Sequence, residues 1–157
     1  MIDRVLVARP DAELETGSTL PDLSKPPITK VQLVKYAGAS GDYNLIHTDD
    51  ETARKVGLEG VIAHGMLSMA FLGEYLCWLA GPESVRRLSV RFIAMVKPGD
   101  TLTCRGRVKG PRSGVKERGV SKERQANEAG RRLQLEVWTE NQRGERVTVG
   151  EAEVQIA

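Results

Sequence analysis

The chain has 157 residues, 40% hydrophobic and 28% charged, with 23 Lys and Arg against 21 Asp and Glu. That is the length of one domain with enough apolar surface for its own core, so neither disorder nor a disulfide or metal staple is implied. A net charge of +2 implies no nucleic-acid partner, and no stretch is long and apolar enough to span a bilayer.

Residues 1–28 carry Pro10, Pro21, Pro26 and Pro27. They predict a short edge strand near the start and an extended arm to Ile28. The first apolar run is too short and too interrupted by charge for a signal peptide. Cys77 and Cys104 stand at no metal or redox spacing, which points to a reduced, cytoplasmic setting. Thr29 with Gln32 forms a capping box. It opens a helix whose apolar face is Val31, Val34 and Ala37, ended by Gly38 and Gly41. Ser40 to His47 is loop or tight turn. Thr48 with Glu51 predicts a second capping box and a short helix that stops at Gly57, with Asp49 and Asp50 turned to solvent in its first turn.

HGMLSMAFLGEYLCWLA, from His64 to Ala80, is apolar on nearly all sides, the pattern of a buried helix. Gly81 and Pro82 stop it. The period then changes to two. Leu88, Val90, Phe92, Ala94 and Val96 share one strand face, with Arg87, Ser89 and Arg91 opposite. KPGD at 97–100 is a turn. Leu102, Cys104 and Val108 alternate with Thr101, Thr103, Arg105 and Arg107, and Leu133, Leu135 and Val137 with Arg132, Gln134 and Glu136. NQRGE at 141–145 turns the chain into a last strand, VTVGEAEVQI. Helices first and antiparallel strands afterwards predict an α+β class, a sheet wrapped around one buried helix, as a single domain over 1–157. The segment 110–131 is polar, of mixed charge, and long for a connection.

One segment carries chemistry. In YAGASGDYNLIHTDDE, from Tyr36 to Glu51, Asp42 and His47 could not hold one small molecule from a helix, where they would point about 140° apart. On a loop flanked by Gly41 they converge, with Asn44 between them to brace the loop or a ligand. A carboxylate and an imidazole aimed at one water form a general acid/base pair. That is what adding water across an activated double bond requires. In VIAHGM, 61–66, Gly65 opens the buried helix. Its N–H lies at the positive end of the helix dipole and could stabilise an oxyanion such as a thioester enolate.

SGDYNLIHTDD resembles the hydratase motif of the MaoC-like, R-specific enoyl-CoA hydratases and 3-hydroxyacyl dehydratases. GVIAHGMLSMA resembles the start of that family's central helix, and VRFIAMVKPGDTL its following strand and turn. The resemblance covers about 20–108 and, loosely, the last strands, and is nearest to bacterial fatty-acid-synthesis dehydratase subunits. It implies a hot-dog fold, Asp42 and His47 as the catalytic pair, and Asn44, His64 and Gly65 on the substrate side. His64 would shape the loop before Gly65, and the Gly65 amide would hold the thioester oxygen. It implies an acyl-CoA or acyl-carrier-protein thioester as substrate, no metal and no other cofactor, and a homodimer or a heterodimer with a related hot-dog subunit. No nucleic acid and no membrane is implied. The family usually has Pro after the Asn, where this chain has Leu45.

Plainer readings stand beside these. SGD is ordinary turn chemistry. Asp42, His47, Asp49, Asp50 and His64 can be drawn as a metal site, but no tight ligand spacing supports it. Residues 110–131 read as a solvated insertion, with a flap over coenzyme A phosphates or a contact for an acidic carrier protein as the functional alternative. A non-catalytic acyl-binding subunit is one other function. A thioesterase is another, for which Glu74 is the one acid on the central helix.

Overall fold

The computed structural model describes residues 14–111 and 131–156. In chain order the elements are β1 (Leu23–Ser24), α1 (Lys30–Ser40), α2 (Asp50–Lys55), α3 (Gly65–Ala80), β2 (Val85–Phe92), β3 (Leu102–Pro111), β4 (Arg131–Asn141) and β5 (Arg146–Ile156), with single 3-10 turns at Leu45–His47 and Pro82–Ser84. The strands make one antiparallel sheet in the order β1-β3-β4-β5-β2.

Alternation along the strands sets the two faces of this sheet. Val108, Leu135 and Ala152 stand side by side across β3, β4 and β5. With Leu102, Cys104, Leu133, Val137 and Val154 they form an inner face that is buried throughout. Leu67, Phe71, Leu72, Leu76 and Leu79 of α3 belong to the same core. Each such side chain contributes about 2 kcal/mol of transfer free energy, so the wrapping of the sheet around α3 follows from apolar area. The outer positions carry ion pairs instead: Arg107 with Glu136, Lys109 with Glu151 and Arg132 with Glu153. The expected α+β architecture of a sheet around one helix is the observed one.

The arm before α1 lies along β3. Gly17, Leu20 and Lys25 donate backbone N–H groups to Val108, Gly106 and Leu102, and Ile28 donates to Asp100. The strand expected nearer the start and the charged stretch 112–130 between β3 and β4 fall outside the described residues.

Four local expectations are corrected. First, α1 buries Leu33 and Ala37, not Val31 and Val34, which are 65% and 57% exposed. Thr29 caps the helix by accepting the Gln32 N–H at 3.1 Å. That makes Ile28 and Leu33, both buried, the two positions of a hydrophobic staple, and the staple chooses the face. Second, the cap of α2 is Asp49, whose carboxylate accepts the Thr52 N–H at 2.7 Å. Thr48 is used up in closing the preceding 3-10 turn, its N–H bonded to Leu45 O. Asp50 also turns inward, accepting the Val61 N–H at 3.0 Å and pairing with Lys30. Third, β2 ends at Phe92, because Ile93 and Ala94 both donate to Val147 O and the chain then leaves the sheet. Fourth, α3 is not covered all round, for Met66, Ala70 and Glu74 are exposed along one side.

Candidate active site

The loop after α1 is built from its own polar side chains. Gly41 takes the left-handed conformation, φ 74°, and its N–H closes on Ala37 O at 2.9 Å. Glycine adopts that conformation without a Cβ clash. Ser40 Oγ then accepts the Asp42 N–H at 3.2 Å, Asp42 Oδ1 accepts the Asn44 N–H at 3.2 Å, and Asn44 Oδ1 accepts the Ile46 N–H at 3.3 Å. These successive side-chain turns are what Ser, Asp and Asn do when placed two residues apart. The Asn44 side-chain oxygen is thus bonded to the loop itself.

A second loop, 61–64, is stitched to the first. Ile62 N–H donates to Ile46 O at 3.1 Å, His47 Nδ1 lies 2.8 Å from Ile62 O, and His64 Nε2 lies 3.1 Å from Asp42 O. Asp50 holds Val61 from the side. A carbonyl oxygen accepts only, so Nδ1 of His47 carries the hydrogen. In the neutral ring, Nε2 is then a bare acceptor. It lies 3.9 Å from Asp42 Oδ2, the carboxylate oxygen that Asn44 does not use. The Asp42 side chain is half exposed and that of His47 is 10% exposed. The pair thus faces outward from a fixed imidazole.

His64 is buried and stacks on His47, with ring centroids 3.9 Å apart and planes 27° from parallel. Tyr36 meets the His64 ring at 5.0 Å. His64 precedes Gly65, so this loop delivers the N-terminus of α3 to the pair. Among the described residues the Gly65 N–H has no hydrogen-bond partner; the Leu67 N–H is the first to be satisfied, by His64 O. A Cβ at Gly65 would stand 3.0 Å from the Phe92 ring, so only glycine leaves this helix end uncrowded. Asp42, His47 and His64 also place donor atoms within 4.8 Å of one another. Two rings in near-parallel planes suit one tetrahedral ion poorly, because their lone pairs lie in those planes.

The remaining candidates lie elsewhere. Asp49 and Asp50 are committed to α2 and to the second loop. Glu74 is held through both oxygens by Lys25 Nζ at 2.7 Å. Leu45 occupies the first position of the 3-10 turn, after Asn44 at ψ 122°. Proline is tolerated after that conformation, so the leucine leaves the turn in the same shape. Ser40, Tyr36 and the Ile62 carbonyl were not found from the sequence. Ser40 had a local signal, two residues before Asp42; the carbonyl had none.

A long helix wrapped by an antiparallel sheet defines a hot-dog fold, and the loop that carries Asp42 and His47 lies at the N-terminus of that helix. Residues 15–130 match the MaoC like domain family, and the chain belongs to it. It is 42% identical over 73 residues to the fatty acid synthase subunit beta of Aspergillus oryzae, covering 45% of this chain and 4% of that protein. It is 36% identical over 78 residues to the (R)-specific enoyl-CoA hydratase of Rhodospirillum rubrum, covering 48% of this chain and 54% of that one. The matches therefore span about half, or far less, of these relatives' own length. The solved R-hydratase PhaJ1 from Pseudomonas aeruginosa, in the unliganded form, superposes with a TM-score of 0.72 at 28% identity, covering 92% of this chain and 83% of that one.

Proposed function

We propose that the protein hydrates 2-enoyl thioesters and, in reverse, dehydrates (R)-3-hydroxyacyl thioesters, with Asp42 and His47 as the catalytic pair. The approach of His47 Nε2 to Asp42 Oδ2 carries this reading. Two acceptors 3.9 Å apart, each about 2.8 Å from a shared water oxygen, subtend about 90° there, close to the angle between water's two O–H bonds. Such a water gives both hydrogens to the pair and turns a lone pair toward substrate.

In hydration the oxygen attacks the β-carbon as one member of the pair takes its proton. The double-bond electrons move toward the thioester oxygen, and the Gly65 N–H stabilises the charge there, a contribution of about 3 kcal/mol for a well-placed donor. The pair then returns a proton to the α-carbon. The R configuration is supported by the names of the relatives, and coenzyme A and an acyl carrier protein both remain as thioester carriers. Glu74 is a poor acid for thioester hydrolysis while Lys25 occupies both of its oxygens.

A second hot-dog chain, the same or related, is the proposed partner. Among the described strands β2 is paired on one side only, by β5. Phe92, Ile93 and Met95, at its end or just after it in the chain, are exposed. An open edge beside apolar side chains is a surface that association covers. The test of the activity is loss of the enoyl absorbance of crotonyl-CoA and longer enoyl thioesters, with chiral analysis of the product. A 3-hydroxyacyl thioester of R configuration is expected. Release of free thiol, or no turnover of any chain length on either carrier by the isolated chain or its complex, would sink the proposal.

A further inference from the structure

We infer that His64 is a positioning residue that sets the spacing of Asp42 and His47 from a tautomer opposite to that of His47. The catalytic part of this inference rests on the hydratase reading above; the tautomer part does not.

The hydrogen bonds determine the tautomers. His47 puts Nδ1 against a carbonyl and His64 puts Nε2 against one. Each of these nitrogens must carry the hydrogen, since the oxygens cannot donate. Neutral His47 is thus bare at Nε2, toward the site, and neutral His64 is bare at Nδ1. That Nδ1 is buried with no partner among the described residues, in a side chain 2% exposed. A buried nitrogen without a partner carries a desolvation cost. An aromatic ring such as Phe would fill the space beside His47 and Tyr36 without that cost, so packing alone gives no reason for an imidazole. The Nε2–H donor is what the imidazole adds.

The target of that donor is the main chain of Asp42. Among the described residues the Asp42 carboxylate is held from one side only, through Oδ1 by the Asn44 N–H, so the position of its own backbone decides how far Oδ2 lies from His47. The same His64 ring lies flat on the His47 ring, and its backbone leads into the Gly65 amide. One residue therefore gauges the acid, the base and the helix end together. A displacement of about 1 Å in such a constellation is enough to cost about 100-fold in rate.

The chain contains only two histidines, so protein labelled with 15N-histidine gives two imidazole spin systems. At a pH where both rings are neutral, one is expected to show the Nδ1–H tautomer and the other Nε2–H. Two rings in the same tautomer, or two averaging freely, would overturn the assignment whether or not any thioester is turned over. For the positioning role, His64→Phe keeps a ring and removes the donor, while His64→Gln restores an N–H near the Nε2 position. With crotonyl-CoA, His64→Phe is expected to lower kcat about 10- to 100-fold with KM within about twofold, and His64→Gln to recover most of kcat. Full activity in His64→Phe, a loss confined to KM, or equal losses in both variants would overturn it. Should His64→Phe not fold, the spectrum and the His64→Gln rate decide. A wild-type protein inactive on every thioester would remove the hydratase reading and leave the tautomer result standing.

Discussion

Two short turns of this chain are built around an aspartate, and they spend its oxygens differently. In the turn at 97–100, Asp100 is buried. Its Oδ2 accepts the Lys97 N–H at 2.9 Å, and its Oδ1 accepts Gln142 Nε2 at 2.8 Å and Arg143 at 3.1 Å. Burial raises its pKa, but the Lys97 N–H, Gln142 and the Arg143 cation outweigh that and hold the carboxyl below its usual range. In the turn at 40–47, Asp42 has one oxygen on a backbone N–H and the other facing a bare imidazole nitrogen. Asp100 is saturated and locks two loops together. Asp42 keeps an uncommitted acceptor half open to solvent, and that is the property that taking a proton from an incoming molecule requires.

The sharpest way to break this comparison is to neutralise each aspartate. Asp42→Asn is expected to lower turnover by about 10²–10⁴, with a melting temperature close to wild type, and His47→Ala to do the same in a steady-state assay. An Asp42→Asn enzyme with wild-type turnover would place the acid/base chemistry elsewhere. Asp100→Asn is expected to act on stability instead, by about 2 kcal/mol in urea unfolding, with kcat unchanged while the protein is folded.

The sign of the pH effect follows from the lowered pKa of Asp100. Its contribution is fully present above the unfolded carboxyl value, about 3.9. It is lost as pH falls through the lower folded value, because the unfolded chain binds the proton first. Acid unfolding should therefore converge for wild type and Asp100→Asn as pH falls below that range, and a gap that widens there would contradict the assignment.

Two smaller effects sharpen the picture. Leu45→Pro suits the Asn44 ψ of 122° and a position whose N–H has no partner among the described residues. It is expected to raise stability by about 0.4–1 kcal/mol by restricting the unfolded chain, with activity kept. A destabilised variant would mean that the turn needs the leucine. Glu74→Gln breaks a surface-facing pair with Lys25 and should cost at most about 1 kcal/mol, with hydration within about twofold of wild type. A large loss of turnover would bring Glu74 back as a catalytic acid.

Much of the loop 36–47 could be read in advance because its bonds are local. Ser40, Asp42 and Asn44 each reach a backbone N–H two residues on, and such turns are written in residue type and spacing. The helix α3 and the inner faces of β3 and β4 were likewise legible, since burial repeats with the period of the element. The face of α1 was not. Val31, Val34 and Ala37 and the pair Leu33 and Ala37 are equally good helical stripes, and the burial of Ile28 on the arm selected between them. Thr48 and Asp49 are both able caps, and the closure of the 3-10 turn on Leu45 decided for Asp49.

Residue identity and short spacing pointed to the groups of the proposed chemistry: one carboxylate and one imidazole to move a proton, and a glycine amide at a helix start to stabilise charge. Tertiary structure decided how they are presented. The Ile62 carbonyl turns the bare nitrogen of His47 toward Asp42, and the His64 ring joins two loops that lie 22 residues apart in the chain. Hydrogen bonds to a distant main chain depend on where the fold carries that main chain, and no side-chain pattern encodes them.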